Sequence, residues 1–158
     1  MGFDESFEVA TPRVAAGAVI RDVEGRILLV KPTYKDGWEI PGGYVVPGES
    51  PAETCSRELA EEIGLHRRAG RLLLVDWAPD PDEGDKLLFV FDGGRLDDVS
   101  EALPDGAEIS EARFFNPGEL PDLMPARLSR RISTAISAAD GDDTYAEHGV
   151  PRPIGTWD

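Results

Sequence analysis

The most tightly specified segment of the sequence is a short helix with signals at both ends. Ser50 and Glu53 form an S-x-x-E capping box around Pro51, and proline is favoured in the first turn of a helix. Gly64 suits the left-handed residue that ends a helix, so we predict a helix of about 20 Å over Pro51–Ile63. Helical spacing predicts one apolar stripe that faces a sheet, made of Ala52, Cys55, Leu59 and Ile63.

Apolar runs on both sides of this helix predict strands and one further helix. The predicted strands are Val14–Ile20 and Arg26–Val30, which pair with each other, the short extended segment Trp38–Ile40, and then Arg71–Val75, Lys86–Phe91 and Arg113–Phe115. A second helix is predicted over Leu128–Ala139, and the glycine-rich stretch that follows Ile40 is predicted to be a loop. Strands and helices that interleave in this way are typical of a layered α/β or α+β domain.

Chain length and composition favour a single globular domain. A chain of 158 residues buries roughly two thirds of its unfolded surface on folding, which is enough for a sizeable core. We therefore predict one domain over residues 1–158, with a core at about 13–139 and a polar C-terminal tail at 140–158. Within the tail, the segment Tyr145–Gly149 either folds back on the domain or is loose.

The acidic balance of the chain limits its partners. The formal net charge is -15 and the sequence pI is near 4.4, which argues against binding a nucleic-acid backbone because phosphate attraction requires a basic surface. A small anionic substrate would need bound cations beside so many carboxylates. No run is long enough to span a bilayer, and the single Cys55 cannot form an internal disulfide, so we expect a cytoplasmic protein without membrane contact. A homodimer stays open.

Three carboxylates share one face of the predicted helix. Glu58, Glu61 and Glu62 stand at i, i+3 and i+4, where like charges destabilise a helix by a few tenths of a kcal/mol per pair. Bound hard cations such as Mg²⁺ or Mn²⁺, which prefer oxygen ligands, would offset this repulsion, whereas a solvated acidic face is the alternative. Before the helix, Gly42 and Gly43 have no side chains, so their backbone can approach a ligand or present a carbonyl to a metal ion.

The loop and the helix together form a pattern with fixed spacing. It consists of Gly43, five residues, Glu49, seven residues, and then Arg57-Glu58-Leu59-Ala60-Glu61-Glu62-Ile63-Gly64-Leu65. At average residue usage, such a pattern arises on the order of once in 10⁹ starting points. The pattern resembles the Nudix box of the Nudix hydrolase superfamily. This resemblance implies an αβα sandwich, with a mixed sheet between helices, in which the box presents metal ions to a diphosphate.

The resemblance also implies roles for individual residues. The implied metal-binding groups are the carbonyl of Gly42 and the carboxylates of Glu58, Glu61 and Glu62, with Glu49 in contact through water. Arg57 would pair with a carboxylate such as Glu49 and orient it through its planar guanidinium group. One position departs from the pattern, since Val46 stands where many members carry a glutamate, which puts in doubt the part of that glutamate in outer-shell metal binding.

The implied activity is metal-dependent hydrolysis of a phosphoanhydride bond. The substrate class is a nucleoside diphosphate linked to another moiety, or a nucleoside triphosphate. Bound cations would neutralise the phosphate oxygens and activate a water, whose proton passes to a carboxylate. Candidates for this base are Glu58 and Glu61 in the box and Glu108 and Glu111 downstream. Two alternatives stay open: a nucleotide-sugar sensor without turnover, and a prenyl diphosphate isomerase, for which Cys55 on the apolar side of the helix is not a suitable nucleophile.

Substrate specificity lies outside the box, where the sequence offers only candidates. Aromatic residues that can stack on a base, or can belong to the core, are Tyr34, Trp38, Trp77 and Phe89. Among them, Trp38 and Trp77 are the predicted substrate-binding residues, and the proline-containing loop 78–85 beside Trp77 is the predicted lid. Prolines in this loop are similar to a feature of the ADP-ribose hydrolases in the family. The two histidines, His66 and His148, lack metal-ligand spacing and are predicted to be ordinary surface residues.

Overall fold

Eight strands and three helices make up the described part of the computed structural model, which covers residues 6–141 and 145–152. The strands are β1 (Arg13–Arg21), β2 (Ile27–Pro32), β3 (Gly42–Tyr44), β4 (Leu72–Trp77), β5 (Lys86–Arg95), β6 (Ile109–Phe115), β7 (Tyr145–Glu147) and β8 (Val150–Pro151). The helices are α1 (Pro51–Ile63), α2 (Leu120–Leu123) and α3 (Ala126–Ala138), and short 3₁₀ turns occur at Val99–Glu101 and Pro117–Glu119.

All eight strands belong to one mixed sheet. Its order is β6-β2-β1-β5-β4-β7-β8, and β3 pairs with β1 away from this path. The pairs β1–β5 and β4–β7 are parallel, whereas the other pairs are antiparallel. Helices α1 and α3 pack on opposite faces of the sheet, which confirms the αβα sandwich. No helix in the described ranges combines the length and the apolarity that crossing a membrane requires.

The two faces of the sheet carry separate apolar clusters because side chains alternate along each strand. The cluster under α1 includes Ile20, Leu28, Val30, Cys55, Leu59 and Ile63. The cluster under α3 includes Val19, Ile27, Leu29, Leu74, Val90, Ile132 and Ala135. Burying a Leu or Ile side chain fully contributes roughly 1.5–3 kcal/mol. Both helices are therefore held firmly against the sheet, and this fixes the position of the groups they carry.

Helix α1 has the bounds and the caps that the sequence predicts. The Ser50 hydroxyl accepts from the Glu53 amide at 3.1 Å, and the Glu53 carboxylate accepts from the Ser50 amide at 2.8 Å. Gly64 ends the helix with a φ of 66°, a left-handed conformation in which glycine carries no steric cost. One detail of the predicted stripe is wrong: Ala52 is exposed, because the first turn of α1 extends beyond the edge of the core.

The glycine-rich stretch is more regular than the predicted loop. Residues Gly42–Tyr44 form the short strand β3, which pairs antiparallel with Ala15–Gly17 of β1. The reason lies in the missing side chain, since a Cβ atom on Gly42 would stand 2.3 Å from the carbonyl oxygen of Ala16. Glycine thus allows a close approach that places this segment directly in front of α1.

The chain beyond the second helix also joins the sheet. Of the two possibilities for Tyr145–Gly149, the segment folds back, and β7 pairs in parallel with β4. A buried ion pair fixes this end of the sheet: Arg131 of α3 donates from Nε to Asp76 of β4 at 2.6 Å, and Asp76 is fully buried. The other Asp76 oxygen accepts from the amide of Gly149 at 2.9 Å. Of the predicted tail, the structure describes residues 140–141 and 145–152, and the rest of the tail lies outside the described residues.

Candidate functional site

The start of β3 and the last turns of α1 bring backbone and carboxylate groups together. The Gly42 amide donates to Oε2 of Glu62 at 3.3 Å. Gly43 lies against Glu58, since a Cβ atom there would stand 2.4 Å from Oε1 of Glu58. Only glycine therefore allows the strand to pass so close to this carboxylate. The close approach is the structural use of the glycine pair that the sequence contains.

The carboxylates on α1 differ strongly in exposure. The side chains of Glu58 and Glu62 lie against β3, with Glu62 only 5% exposed as a residue, whereas the side chain of Glu61 is 58% exposed. Burial raises the pKa of Glu58, and burial together with the charge of Glu58 raises the pKa of Glu62 to about 9. The two groups hydrogen-bond to each other. These two side chains lie against β3, so a solvated acidic face does not describe them. Removing a carboxylate from water costs free energy, which a solvated face would avoid.

Arg57 connects the remaining carboxylates of this region. It binds Glu49 with two nitrogens, Nε to Oε2 at 2.8 Å and Nη2 to Oε1 at 3.0 Å. Its Nη1 donates to Glu58 and to Glu61, both at 3.0 Å. The Arg57 hydrogen bonds, followed by one from the Thr54 hydroxyl, lower the pKa of Glu49 to about 2. The planar guanidinium group therefore holds several carboxylates in one arrangement.

The donor set of this site fits divalent cations by its chemistry. The buried Glu62 and the partly buried Glu58 offer carboxylate oxygens next to the strand β3, and hard cations such as Mg²⁺ prefer oxygen ligands. A bound cation would keep both groups ionised, because metal ligands must be deprotonated. Within residues 6–141 and 145–152, no three acidic, histidine or cysteine side chains converge on one point. Glu49 and Glu61 contact Arg57. The groups of the predicted metal-binding set are therefore neighbours in one region but do not converge on one point: Gly42, Glu49, Glu58, Glu61 and Glu62.

A cavity of about 450 Å³ begins beside the glycine pair. It lies over the ends of β1 and β5, between α3 and the loop 78–85. Of the four aromatic candidates, Tyr34 and Phe89 are among the lining residues. The loop contributes Ala78, Pro79, Asp80 and Glu83. The structure thus places the predicted lid loop at the cavity, close to Gly42 and Gly43.

The two tryptophans predicted to bind substrate do not line this cavity. Trp38 packs edge-on against the ring of Phe115 at a centroid distance of 4.9 Å, next to the α3 cluster. Trp77 follows Asp76 on β4, and successive side chains of a strand point to opposite faces. Asp76 contacts Arg131, which lines the cavity. Trp77 therefore faces away from the cavity, and the structure does not bring it to the site.

The two downstream base candidates differ in their surroundings. Glu111 stands opposite Lys31 on β2 and forms an ion pair with Arg113. Glu108 lies near Tyr34: burial, then the charges of Glu39, Glu62 and Glu108, raise the pKa of Tyr34 to about 12. Because Tyr34 lines the cavity, Glu108 is the candidate that the structure brings towards the site.

The sequence reasoning missed two residues of the site. Glu39 lies close enough to raise the pKa of Glu62 by its charge, and it lines the cavity with an ion pair to Lys35 at 2.6 Å. Its signal was available, since Glu39 stands three residues before Gly42. His148 also lines the cavity, although it is exposed as the sequence predicted. Nothing in the sequence near His148 indicated this position, because long-range strand pairing places it there.

Comparisons with known proteins agree with this fold. The NUDIX domain family model matches residues 11–135. A Bacillus subtilis (strain 168) protein whose proposed activity is 8-oxo-dGTP diphosphatase is 32% identical over 141 residues, 88% of this chain and 91% of that protein. An ADP-ribose pyrophosphatase of Methanocaldococcus jannaschii is 36% identical over 116 residues, 71% of this chain and 66% of that protein. The solved structure of a UDP-X diphosphatase matches with a TM-score of 0.66 and 26% identity, over 90% of this chain and 70% of that one.

The chain therefore belongs to the Nudix family and is a Nudix hydrolase. The family comprises pyrophosphohydrolases that generally use divalent metal ions. This membership confirms the resemblance seen in the residues from Gly43 to Leu65.

Proposed function

We propose that this Nudix hydrolase cleaves a phosphoanhydride bond in a nucleoside diphosphate linked to another moiety, or in a nucleoside triphosphate. The single observation that carries this proposal is the pair of the partly buried Glu58 and the buried Glu62, packed against Gly42 and Gly43, which line the cavity. A binding module has no need to bury two carboxylates beside each other, whereas a hydrolase that uses cations does. We propose Mg²⁺ or Mn²⁺ as the cation and the cytoplasm as the location.

The residues divide the work of the reaction between them. Divalent ions held by Glu58 and Glu62, with Gly42, Glu49 and Glu61 as further ligands, would neutralise phosphate oxygens and lower the pKa of a water. Arg57 positions Glu49, Glu58 and Glu61 through four hydrogen bonds to their carboxylates. The water oxygen forms a bond to phosphorus as the bond to the leaving phosphate oxygen breaks, and a carboxylate takes the water's proton.

The general base remains a choice between box and downstream carboxylates. Glu108 is our first candidate outside the box, because its charge reaches Tyr34 at the cavity. Glu111 is the second, and its ion pair with Arg113 argues against it. In the box, Glu61 is exposed and Glu58 is already engaged by Arg57. Cys55 plays no part: burial raises the pKa of its thiol to about 12, which removes the nucleophile an isomerase would need.

The cavity next to the site supports a substrate with a bulky group beyond its phosphates. Its volume of about 450 Å³ is within the usual range for small-molecule sites. The relatives point to both substrate classes, one being named for ADP-ribose and one for 8-oxo-dGTP. We therefore keep both classes in the proposal, and a screen separates them. We propose a small nucleotide substrate, with neither nucleic acid nor membrane as partner, and a homodimer as the assembly to be tested.

The test is a screen of ADP-ribose, UDP-sugars and nucleoside triphosphates with Mg²⁺ or Mn²⁺, with the products identified by chromatography. In Glu62→Gln, the rate on the best substrate should fall by at least about a thousandfold, because metal-mediated charge stabilisation contributes several kcal/mol. The amide oxygen still accepts from Gly42, so the fold should persist. Glu101→Gln, an exposed glutamate outside the site, is the matched control and should keep full activity.

The same assay decides the base and sets the limits of the proposal. Glu108→Gln should lower turnover by at least about tenfold, and Glu111→Gln should not, if a general base contributes in its usual range. If neither variant lowers turnover by about tenfold, the base is one of the carboxylates in the box. Wild-type turnover by Glu62→Gln, or no cleavage of any compound by the native chain, would disprove the proposed function.

A further inference from the structure

A histidine in the hairpin formed by β7 and β8 contributes to the lining of the cavity. Strands β7 and β8 pair with Glu147 opposite Val150, so His148 and Gly149 form a two-residue turn. Both have positive φ, 50° for His148 and 76° for Gly149. His148 lines the cavity. Within the described residues it is also the single non-glycine residue with positive φ.

Contacts from two other elements hold this turn in place. The His148 amide donates to the Trp77 carbonyl at 2.9 Å, and its carbonyl accepts from Nε of Arg130 at 3.1 Å. Gly149 donates to Asp76 at 2.9 Å and accepts from the Thr134 hydroxyl at 2.6 Å. Four hydrogen bonds from β4 and α3 thus fix two residues. The backbone of His148 is therefore fixed by the fold beside the cavity.

The conformation of this turn permits a histidine at its first position but does not require one. A two-residue hairpin turn with positive φ at both positions is of type I′, for which Asn-Gly is the preferred pair. The glycine is required here, because a Cβ atom on Gly149 would stand 2.7 Å from the amide nitrogen of Arg131. At the first position the chain carries His148, and histidine is one of the non-glycine residues that adopt positive φ most often. The turn therefore accepts this histidine, and its place in the cavity lining is what distinguishes it from a surface residue.

The groups around His148 indicate what it contacts. Arg131 and Arg127 also line this end of the cavity. Arg131 is paired with Asp76 at 2.6 Å, and Arg127 with Asp80 at 3.1 Å. Each cation is therefore neutralised by a carboxylate, which leaves little net attraction for a phosphate. An uncharged polar ring, with hydroxyl or amide groups that hydrogen-bond to imidazole, suits this end better.

The sheet register gives the distance between this end and the box. Gly43 is paired with Ala16, Ala16 with Phe89, Phe89 with Val75, and Val75 with Tyr145. Four neighbouring strand spacings amount to roughly 19 Å. The β7 end of the sheet therefore lies four strands away from Gly43, on the opposite side of the cavity from the box. A residue at this distance contacts the part of a nucleotide that is remote from the scissile bond.

We propose that His148 is a specificity-determining residue, which hydrogen-bonds to the uncharged polar ring of the substrate farthest from its diphosphate. This inference rests on the proposed function, since it assigns the diphosphate to the box end of the cavity. The contacted ring is either the nucleobase or the second sugar of a sugar nucleotide. His148 takes no part in the chemistry itself.

The test compares His148→Asn and His148→Gly with the native chain. Both residues suit positive φ, so the melting temperature should be unchanged or higher in the asparagine variant. The KM for ADP-ribose should rise about tenfold, as expected for a lost hydrogen bond to imidazole, with kcat within about twofold. His66→Asn, an exposed histidine outside the cavity, is the matched control and should leave KM unchanged. ATP, which carries the same base, serves as the second substrate.

Each outcome bears on the proposal. A KM effect with ADP-ribose alone supports contact with the second sugar, and an effect with both compounds supports contact with the base. Unchanged KM in both variants overturns the inference, as does a loss of kcat together with a lower melting temperature. Calorimetric titration of ADP-ribose and ATP into Glu62→Gln, with and without His148→Asn, covers the case in which no compound is cleaved. Binding weakened about tenfold would then support His148 while the hydrolase proposal fails, and equal or absent binding would overturn the inference.

Discussion

The two ends of the cavity are built in opposite ways. At the box end, the hydrogen bonds that position the carboxylates and cap the helix join residues close in sequence: Ser50 with Glu53, and Arg57 with Glu49 and Glu61. At the hairpin end, the contacts join distant parts of the chain. Asp76 binds Arg131, 55 residues away, and Gly149, 73 residues away.

This difference separates chemistry from recognition. Local contacts on a capped helix hold Arg57, Glu49 and Glu61, and the one long-range element at this end is β3, which covers Glu62. The hairpin end depends on strand pairing, so its residues can change without disturbing the carboxylates. We infer that the reaction type is fixed at one end of the cavity and the substrate at the other. Variants that affect only one end break or sharpen this comparison.

The largest expected effect concerns the hairpin end. In Asp76→Ala, Arg131 and the Gly149 amide lose a fully buried partner. Removing one member of a buried pair costs about 3–5 kcal/mol, so urea denaturation should show a loss of this size. The control is Asp97→Ala, which breaks the exposed pair with Arg95 and should cost less than about 1 kcal/mol. Equal losses in both variants would contradict a hairpin end held by buried contacts.

The same contrast explains what the sequence predicts well. The bounds of α1 followed from Ser50, Glu53, Pro51 and Gly64, because caps act through neighbours in sequence. The glycine-rich sequence of β3 predicts a loop. Gly42 and Gly43 form a strand because glycine allows them to lie directly on β1, a contact that the local pattern does not encode. The positions of β7 and His148 depend on pairing with β4, which no local pattern encodes.

The candidate site divides in the same way. Glu58, Glu62 and Arg57 were found through a pattern on one helix. Trp77 was placed in the substrate site because its neighbours form a loop, but strand alternation turns it to the other face. The burial of Glu62 cannot be predicted from a helix with three carboxylates, because the exposure of each side chain depends on what packs against that face of the helix. Here the strand β3 packs against it.

A second prediction concerns the box end and is smaller in free energy. Arg57→Lys keeps a positive charge but loses the planar group that contacts Glu49, Glu58 and Glu61. Because residues that orient metal ligands typically contribute tenfold to a hundredfold, kcat should fall by about this factor and half-saturation should require more Mg²⁺. Steady-state kinetics over a Mg²⁺ series measures both quantities. The matched control is Arg95→Lys, an exposed pair outside the site, and unchanged kinetics in Arg57→Lys would show that charge alone suffices.

The smallest effect is expected in the loop 78–85, between the two ends. Asp80 accepts from the amides of Asp82 and Glu83 at 2.8 and 3.1 Å and from Arg127 at 3.1 Å. The hydrogen bonds from Asp82 and Glu83, and then the charge of Arg127, hold the pKa of Asp80 below its usual 3.8, although burial acts in the opposite direction. The loop is thus a locally bonded turn with two long-range ion pairs, Asp80 with Arg127 and Glu83 with Arg13.

The sign of its pH dependence follows from this shift. A carboxylate whose pKa is lower in the folded state stabilises the fold above its unfolded pKa, and the contribution is lost as the pH falls through the folded pKa. Asp80→Asn should therefore be less stable than the native chain at about pH 7, and the difference should shrink from about pH 5 downwards. Urea midpoints at about pH 7, 5 and 3.5 measure it, with Asp97→Asn as the exposed control. A difference that stays constant with pH would show that the shape of the turn, and not the charge of Asp80, holds the loop beside the cavity.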